Sequence, residues 1–219
     1  MSTIPKSLRD GLQMELLMNG NAKDTSGNGN DGTLVGQPTL TTDMLGRADR
    51  AYDFDGSNDY VKVDSLPNLG QTYSFSLFVK ANRDNLQERL FEISNSTLPQ
   101  RRIRIDQRGD TNSVRFMVRD DNWTSADYNS ELEIDVWTFI VGTYDGSNMR
   151  LYIDGSLVDT TAKEISPEPT GDFNLGAGNA EGSVSGYFSG KIALPKIWNR
   201  ALTQTEIQQL YIRGIGTGI

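Results

Sequence analysis

The sequence predicts an all-β fold, a sandwich or a barrel, with one short helix near its C-terminus. Three observations carry this. Asp31-Gly32, Asp55-Gly56, Asp145-Gly146 and Asp154-Gly155 each adjoin a β-type run, and Asp-Gly flanked by alternating apolar residues is a strong hairpin signal. Turn residues interrupt the chain roughly every 8–15 positions, the rhythm of many short strands. Neither an internal repeat nor a linker long enough to divide two domains is present.

The clearest element is the segment from Trp137 to Asp159. Trp137, Phe139 and Val141 form one face of a strand, and a turn follows at Asp145 to Asn148. Met149, Leu151 and Ile153 then alternate with Arg150, Tyr152 and Asp154, and the Asp154-Gly155 turn leads to Leu157 and Val158. This is a β-meander. Further strands read at Ala51 to Phe54, Asp59 to Val63, Ser74 to Lys80, Arg89 to Ile93, Arg101 to Asp106, Ser113 to Arg119, Phe173 to Leu175 and Gly186 to Ile197. Pro167-Glu168-Pro169 breaks the pattern as a loop.

The helix begins at Thr203-Gln204-Thr205-Glu206, a capping box in which hydroxyl and carboxylate each satisfy an orphan amide. Ile207, Leu210 and Tyr211 follow on one face, for packing against an edge or open end of the sandwich. The expected organisation is an arm over residues 1–10, one β domain over 11–212 and a flexible Gly-rich tail over 213–219.

Composition narrows the chemistry. The chain has 219 residues, 36% hydrophobic and 23% charged, enough for one self-sufficient domain. Cys counts 0 and His counts 0. That removes disulfides, thiolate nucleophiles, Cys-based metal sites and the Ser/His/Asp triad. A net charge of -8 argues against binding nucleic acid through its phosphates. The first residues lack the apolar core of a secretory leader, and nothing approaches the ~20 apolar residues that span a bilayer.

Four segments in order carry a resemblance: Lys23 to Leu34 (KDTSGNGNDGTL), Arg50 to Val63, Trp137 to Val158 and Gly190 to Tyr211. Together they resemble laminin G-like domains of the concanavalin A-like lectin/glucanase superfamily. The resemblance runs from about Gly11 to Tyr211 and implies a two-sheet antiparallel jelly roll. It leaves function open, because that fold hosts lectins, adhesion modules and glycosidases.

Three constellations are candidates for chemistry. Asp24, Asn28, Asn30 and Asp31 place hard oxygens on a Gly-rich loop, the donor type that calcium takes. The resemblance implies a structural calcium there, completed by an Asp before the last strand. Here Ala193 falls at that position and weakens the site; the alternative is a self-capped turn. The segment from Asp53 to Asp59 lacks EF-hand spacing and reads as strand–turn–strand with polar tips.

The second constellation is Glu133-Ile134-Asp135-Val136-Trp137. It resembles the strand motif of retaining glucanases in this superfamily, in which two glutamates bracket an Asp. Trp137 stands at the acid/base position and cannot protonate a leaving oxygen. Glu131, Glu133 and Asp135 therefore read as a solvated strand face, and no catalytic residue is assigned.

The third is Trp123, in the polar segment Arg119 to Glu131, with Asp121, Asn122 and Tyr128 around it. An exposed Trp in such a segment reads as a recognition loop, and the alternative is a ring tucked over the sandwich edge. Arg102 and Arg104 share one strand face, suited to an acidic sugar or a partner's carboxylates, or else to a solvated face. Trp137 and Trp198 read as core. Asn95-Ser96-Thr97 and Asn122-Trp123-Thr124 match the glycosylation pattern, which matters only in a secretory route.

The functional expectation is a non-catalytic recognition or adhesion module for glycan or a cell-envelope polymer, at a virion or extracellular surface. The alternatives are a purely structural assembly subunit, contacting virion subunits or further copies of itself, and a glycoside hydrolase.

Overall fold

The computed structural model describes residues 6–82, 87–95, 101–108, 113–119, 122–164, 169–180 and 183–216. Helix α1 (Lys6–Arg9) precedes strands β1 (Leu12–Glu15), β2 (Thr33–Val35), β3 (Thr39–Thr41), β4 (Ala51–Asp55) and β5 (Tyr60–Leu66). The middle of the chain forms β6 (Tyr73–Ala81), β7 (Gln87–Ser94), β8 (Arg102–Arg108), β9 (Ser113–Arg119) and β10 (Trp123–Tyr128). The meander follows as β11 (Trp137–Tyr144), β12 (Asn148–Ile153) and β13 (Ser156–Ala162). Then come β14 (Gly171–Leu175), β15 (Gly178–Ala180), β16 (Ser183–Ser185), β17 (Ser189–Trp198) and helix α2 (Gln204–Gly214).

Two antiparallel sheets face each other. One has eight strands in the order β13-β12-β11-β6-β17-β4-β3, with β1 also on β17. The other has seven, in the order β10-β9-β8-β7-β14-β5-β2, and β15 and β16 form a separate two-stranded ribbon. The all-β sandwich expected from the turn rhythm is the observed architecture. Strand β10 and the short β1, β2, β3, β15 and β16 are absent from the sequence-based reading.

Register separates the two faces of the seven-stranded sheet. Phe91, Ile105 and Phe116 lie side by side in one row, and Glu92, Arg104 and Met117 lie in the next. Successive side chains point to opposite faces, so the first row meets the other sheet and the second turns outward. Inside, Phe75 stands 4.9 Å from Phe91 and 6.5 Å from Phe116, and Phe91 stands 5.7 Å from Phe173. Gly142 of β11 makes room for this cluster, because a Cβ there would lie 2.8 Å from the Phe116 ring.

The eight-stranded sheet buries its outer face too. Phe78, Phe139, Val141, Ala193 and Trp198 lie beneath Leu8 of α1 and Ile207 and Leu210 of α2. The helix therefore packs across a sheet face, not against an edge or open end as the sequence suggested. The reason is local: central strands β6 and β11 turn Phe78 and Phe139 outward, where they would otherwise meet water. Residues 6–10, from the stretch read as an arm, are tied into this layer. Trp198 Nε1 donates to the Leu8 carbonyl at 2.8 Å, and Arg200 Nη2 donates to the Ser7 carbonyl at 2.8 Å. Gly214, from the stretch read as a tail, is the last residue of α2 and is buried. No helix among the described residues is long and apolar enough to cross a membrane.

The predicted capping box is present, with Glu206 accepting from the Thr203 backbone and Thr203 accepting from Glu206 N. Arg200 grips the same carboxylate at 2.7 and 3.0 Å and holds its pKa below the ordinary range. A carboxyl with a lowered folded pKa adds stability above its unfolded pKa of about 4.3, and that stability is lost as pH falls through the folded value. Glu206→Gln is therefore expected to cost about 1 kcal/mol at neutral pH. Urea titrations of the two proteins should converge as the medium is acidified below about pH 4.

Candidate functional site

Strands β8 (RIRIDQR) and β9 (SVRFMVR) alternate charged and apolar residues, which makes the outer face of the seven-stranded sheet ionic. In register, Arg102 lies beside Arg119 and Asp106 beside Arg115, and Arg119 is in turn opposite Trp123 of β10. Asp106 is wholly buried, at 0% exposure. Arg115 binds it bidentately, Nε to Oδ1 at 2.9 Å and Nη2 to Oδ2 at 2.8 Å. Arg104 Nε makes a close ion contact with Oδ2 at 2.9 Å, and Arg89 Nη1 lies at 3.7 Å. Arg104 also reaches Glu92 at 3.8 Å, so one guanidinium bridges two acids.

Burial governs the titration of this network. It pushes Arg104 down to about 10, against the pull of Asp106, so the group stays charged at neutral pH. Glu92 is raised by burial, opposed by Arg104, Arg102 and Arg89. Its Oε1 accepts from the Asn179 backbone of the β15–β16 ribbon at 3.1 Å. Gly178 lets that ribbon lie close, since a Cβ there would stand 2.9 Å from Arg89.

Two further features belong to the face, one partly exposed and one buried. The partly exposed Trp123 ring has the Arg104 guanidinium carbon 4.1 Å from its centroid and that of Arg119 at 5.7 Å. Cation–π contact holds the indole in a fixed plane. Between Glu92 and Lys62 in the register sits Asn174, 1% exposed, and neither its Oδ1 nor its Nδ2 has a hydrogen-bond partner. A buried amide left unpaired costs about 1–3 kcal/mol, which a bound polar group would recover.

Among the residues singled out by sequence, Trp123, Arg102 and Arg104 meet on this one face. Trp123 belongs to strand β10 and not to a loop. Arg102 and Arg104 are 6% and 8% exposed, not solvated, because acids and neighbouring side chains enclose them. Asn122 is exposed in a bend before β10, and Asp121 lies outside the described residues. Tyr128 pairs with Val114 and packs against the inner core, so it is on the opposite face from Trp123's arginines. Sequence reading missed Glu92, Asp106, Arg115, Arg119 and Asn174. The signal for the arginines and Asp106 was the period-two charge alternation in β8 and β9.

The loop proposed for calcium is built differently. Asp24 Oδ1 accepts from Glu15 N and Ser26 N, and Oδ2 accepts from Asn30 N and the Ser26 hydroxyl, at 2.8–3.0 Å. Asn28 and Asn30 turn amide nitrogens toward the Leu12 and Gln13 carbonyls. Asp31 accepts from Asp24 N and Lys23. Ala193 is buried in the layer beneath α2. These residues staple the loop to β1, and the set as arranged does not fit a calcium cage, which needs 6–8 free oxygens. Among the described residues no group of three or more Asp and Glu is placed to hold a metal.

Residues Asp53 to Asp59 form the expected strand–turn–strand, with Asp59 accepting from Gln37 N and Asp55 N. The Glu133-Ile134-Asp135 motif is not on a strand. It forms a turn before β11, with Val136 N donating to Glu133 O, a positive φ at Asp135 and an Asp135–Lys80 ion pair at 3.3 Å. Trp198 is in the core, and Trp137 packs against the α2 layer.

Removing one partner of a buried pair strands the other charge. Arg115→Met is expected to cost about 3 kcal/mol in urea unfolding, and adding Asp106→Asn should restore part of that loss.

No curated protein matches the sequence. Domain 4 of AbnA, a GH43 extracellular arabinanase from Geobacillus stearothermophilus, in complex with arabinotriose, is similar with a TM-score of 0.77 at 19% identity, over 91% of this chain and 98% of that one. The receptor binding domain of botulinum neurotoxin C/D mosaic serotype is similar with a TM-score of 0.72 at 17% identity, over 93% of this chain and 51% of that one. A botulinum neurotoxin type C structure, whose cell entry depends on interaction with two ganglioside molecules, gives 0.72 at 17% identity over 95% and 52%. These identities show a shared fold. A family model described as the concanavalin A-like lectin/glucanases superfamily matches residues 54–208. The chain belongs to the concanavalin A-like lectin/glucanases superfamily.

Proposed function

We propose that the protein is a non-catalytic carbohydrate-binding module that holds an acidic glycan on the outer face of the seven-stranded sheet. The single observation that carries this is Trp123, partly exposed and held in plane by Arg104 and Arg119. Sugar C–H faces stack on such rings, and arginine forks suit carboxylates. The face is cationic on a chain whose net charge is -8, which favours an acidic ligand here over any neighbouring surface. The arabinanase domain with arabinotriose and the neurotoxin that depends on gangliosides support glycan binding.

Binding without cleavage is supported by the fate of the acids. Glu92 and Asp106 are 2% and 0% exposed and tied to arginines, so neither meets a glycosidic oxygen. Glu133 and Asp135 stand on a solvated turn. We place the module at an extracellular or virion surface, a setting that its Cys-free composition suits.

A glycan array carrying neutral and acidic oligosaccharides, with and without calcium, tests this. Retention of acidic glycans is expected, with Trp123→Ala weakening the best of them by about tenfold or more and leaving the melting temperature in place. An array without hits in either condition, or hits indifferent to Trp123→Ala, would overturn the reading.

A further inference from the structure

A cavity lies on the side of the molecule opposite the Trp123 face, on the outer face of the eight-stranded sheet beside α2. Its volume is about 400 Å³, within the ~300–1,000 Å³ of small-molecule pockets. A break in β17 shapes it. The register of β17 against β6 shifts between Ala193 and Lys196, and Leu194 between them has φ 52°. A branched side chain in the left-handed region is strained, and bulges of this kind re-aim side chains beside functional sites. Here the bulge sets Leu194 and Lys196 into the cavity wall together with Phe78 and Leu210 of the apolar layer.

The polar part of the wall is cationic. Lys196 is 7% exposed and faces Glu15 at 3.3 Å. Arg47 is matched by Asp43 at 2.6 Å. Arg50 lines the same cavity and has no ion pair among the described residues. Arg213 lines the cavity too and has a partner of its own, so Arg50 is the guanidinium without an ionic partner beside the aromatic and aliphatic wall. Burial lowers the pKa of Lys196 against the opposing pull of Glu15, so a further anion nearby would favour its charged form.

We propose that this cavity binds an amphipathic anion, a molecule with one negatively charged head and a short apolar body, with the head on Arg50 and Lys196 and the body against Phe78, Leu194 and Leu210. Apolar walls supply the affinity and the unmatched guanidinium fixes the orientation. The site is separate from the Trp123 face and does not rest on glycan binding.

Calorimetric titration of the full chain with decanoate, below its micellar range, tests it. One saturable site is expected, with decanol about tenfold weaker and Arg50→Glu about tenfold or more weaker. Arg50→Gln should fall between, and Trp123→Ala should change nothing. Equal affinity for decanoate and decanol, no saturable binding, indifference to Arg50→Glu, or loss in Trp123→Ala would each overturn the proposal.

Discussion

The outer face of the seven-stranded sheet is organised by one buried carboxylate, Asp106. Taking an ion of this kind out of water costs several kcal/mol, and attraction offsets that only when the partners are close and well aligned. Arg115 meets the condition with two bonds shorter than 3.0 Å, and Arg104 adds a contact at 2.9 Å. The constraint propagates. Arg104 must stay extended over β9, where it covers the Trp123 indole, and Glu92 must remain buried beside it. A long flexible side chain is thereby held where a ligand would need it, so little ordering remains to be done on binding.

The two sheets solve one problem in opposite ways. Each has an inner face occupied by the shared aromatic core. The eight-stranded sheet covers its outer face with helices and apolar side chains. The seven-stranded sheet fills its outer face with ionic side chains that shield one another. The first arrangement buys stability from apolar area, and the second gives up some of it for a polar surface with fixed geometry.

Sequence patterns made the fold legible because its signals are local. The Asp145-Gly146 and Asp154-Gly155 hairpins, period-two alternation in β11 and β12 and the Thr203–Glu206 capping box all act within a few residues and are in place, whereas Asp55-Gly56 links strands of different sheets and Asp31-Gly32 closes no hairpin. The site was half legible for the same reason. Arg102 and Arg104 were visible as one face, but their burial depends on Glu92, Asp106 and Arg115 from three strands, which only register brings together. Trp123 looked like a loop residue because its strand carries Thr124, Ser125 and Asp127, polar residues that an edge strand tolerates. The acidic loop at Asp24 supports two readings from sequence, a cation site and a self-capped turn. Side-chain oxygens that suit a cation equally suit backbone amides, and the chain supplies those amides itself.

The central claim is that an ionic network presents Trp123 and its arginines as a preformed glycan platform. A crystal structure of the protein with an oligosaccharide selected by the array tests it most directly. The account predicts a sugar ring against the Trp123 indole, with Arg104 and Arg119 at its edge and the Asp106–Arg115 pair unmoved. Sugar density at the loops of the sandwich end, with the Trp123 face bare, would contradict it.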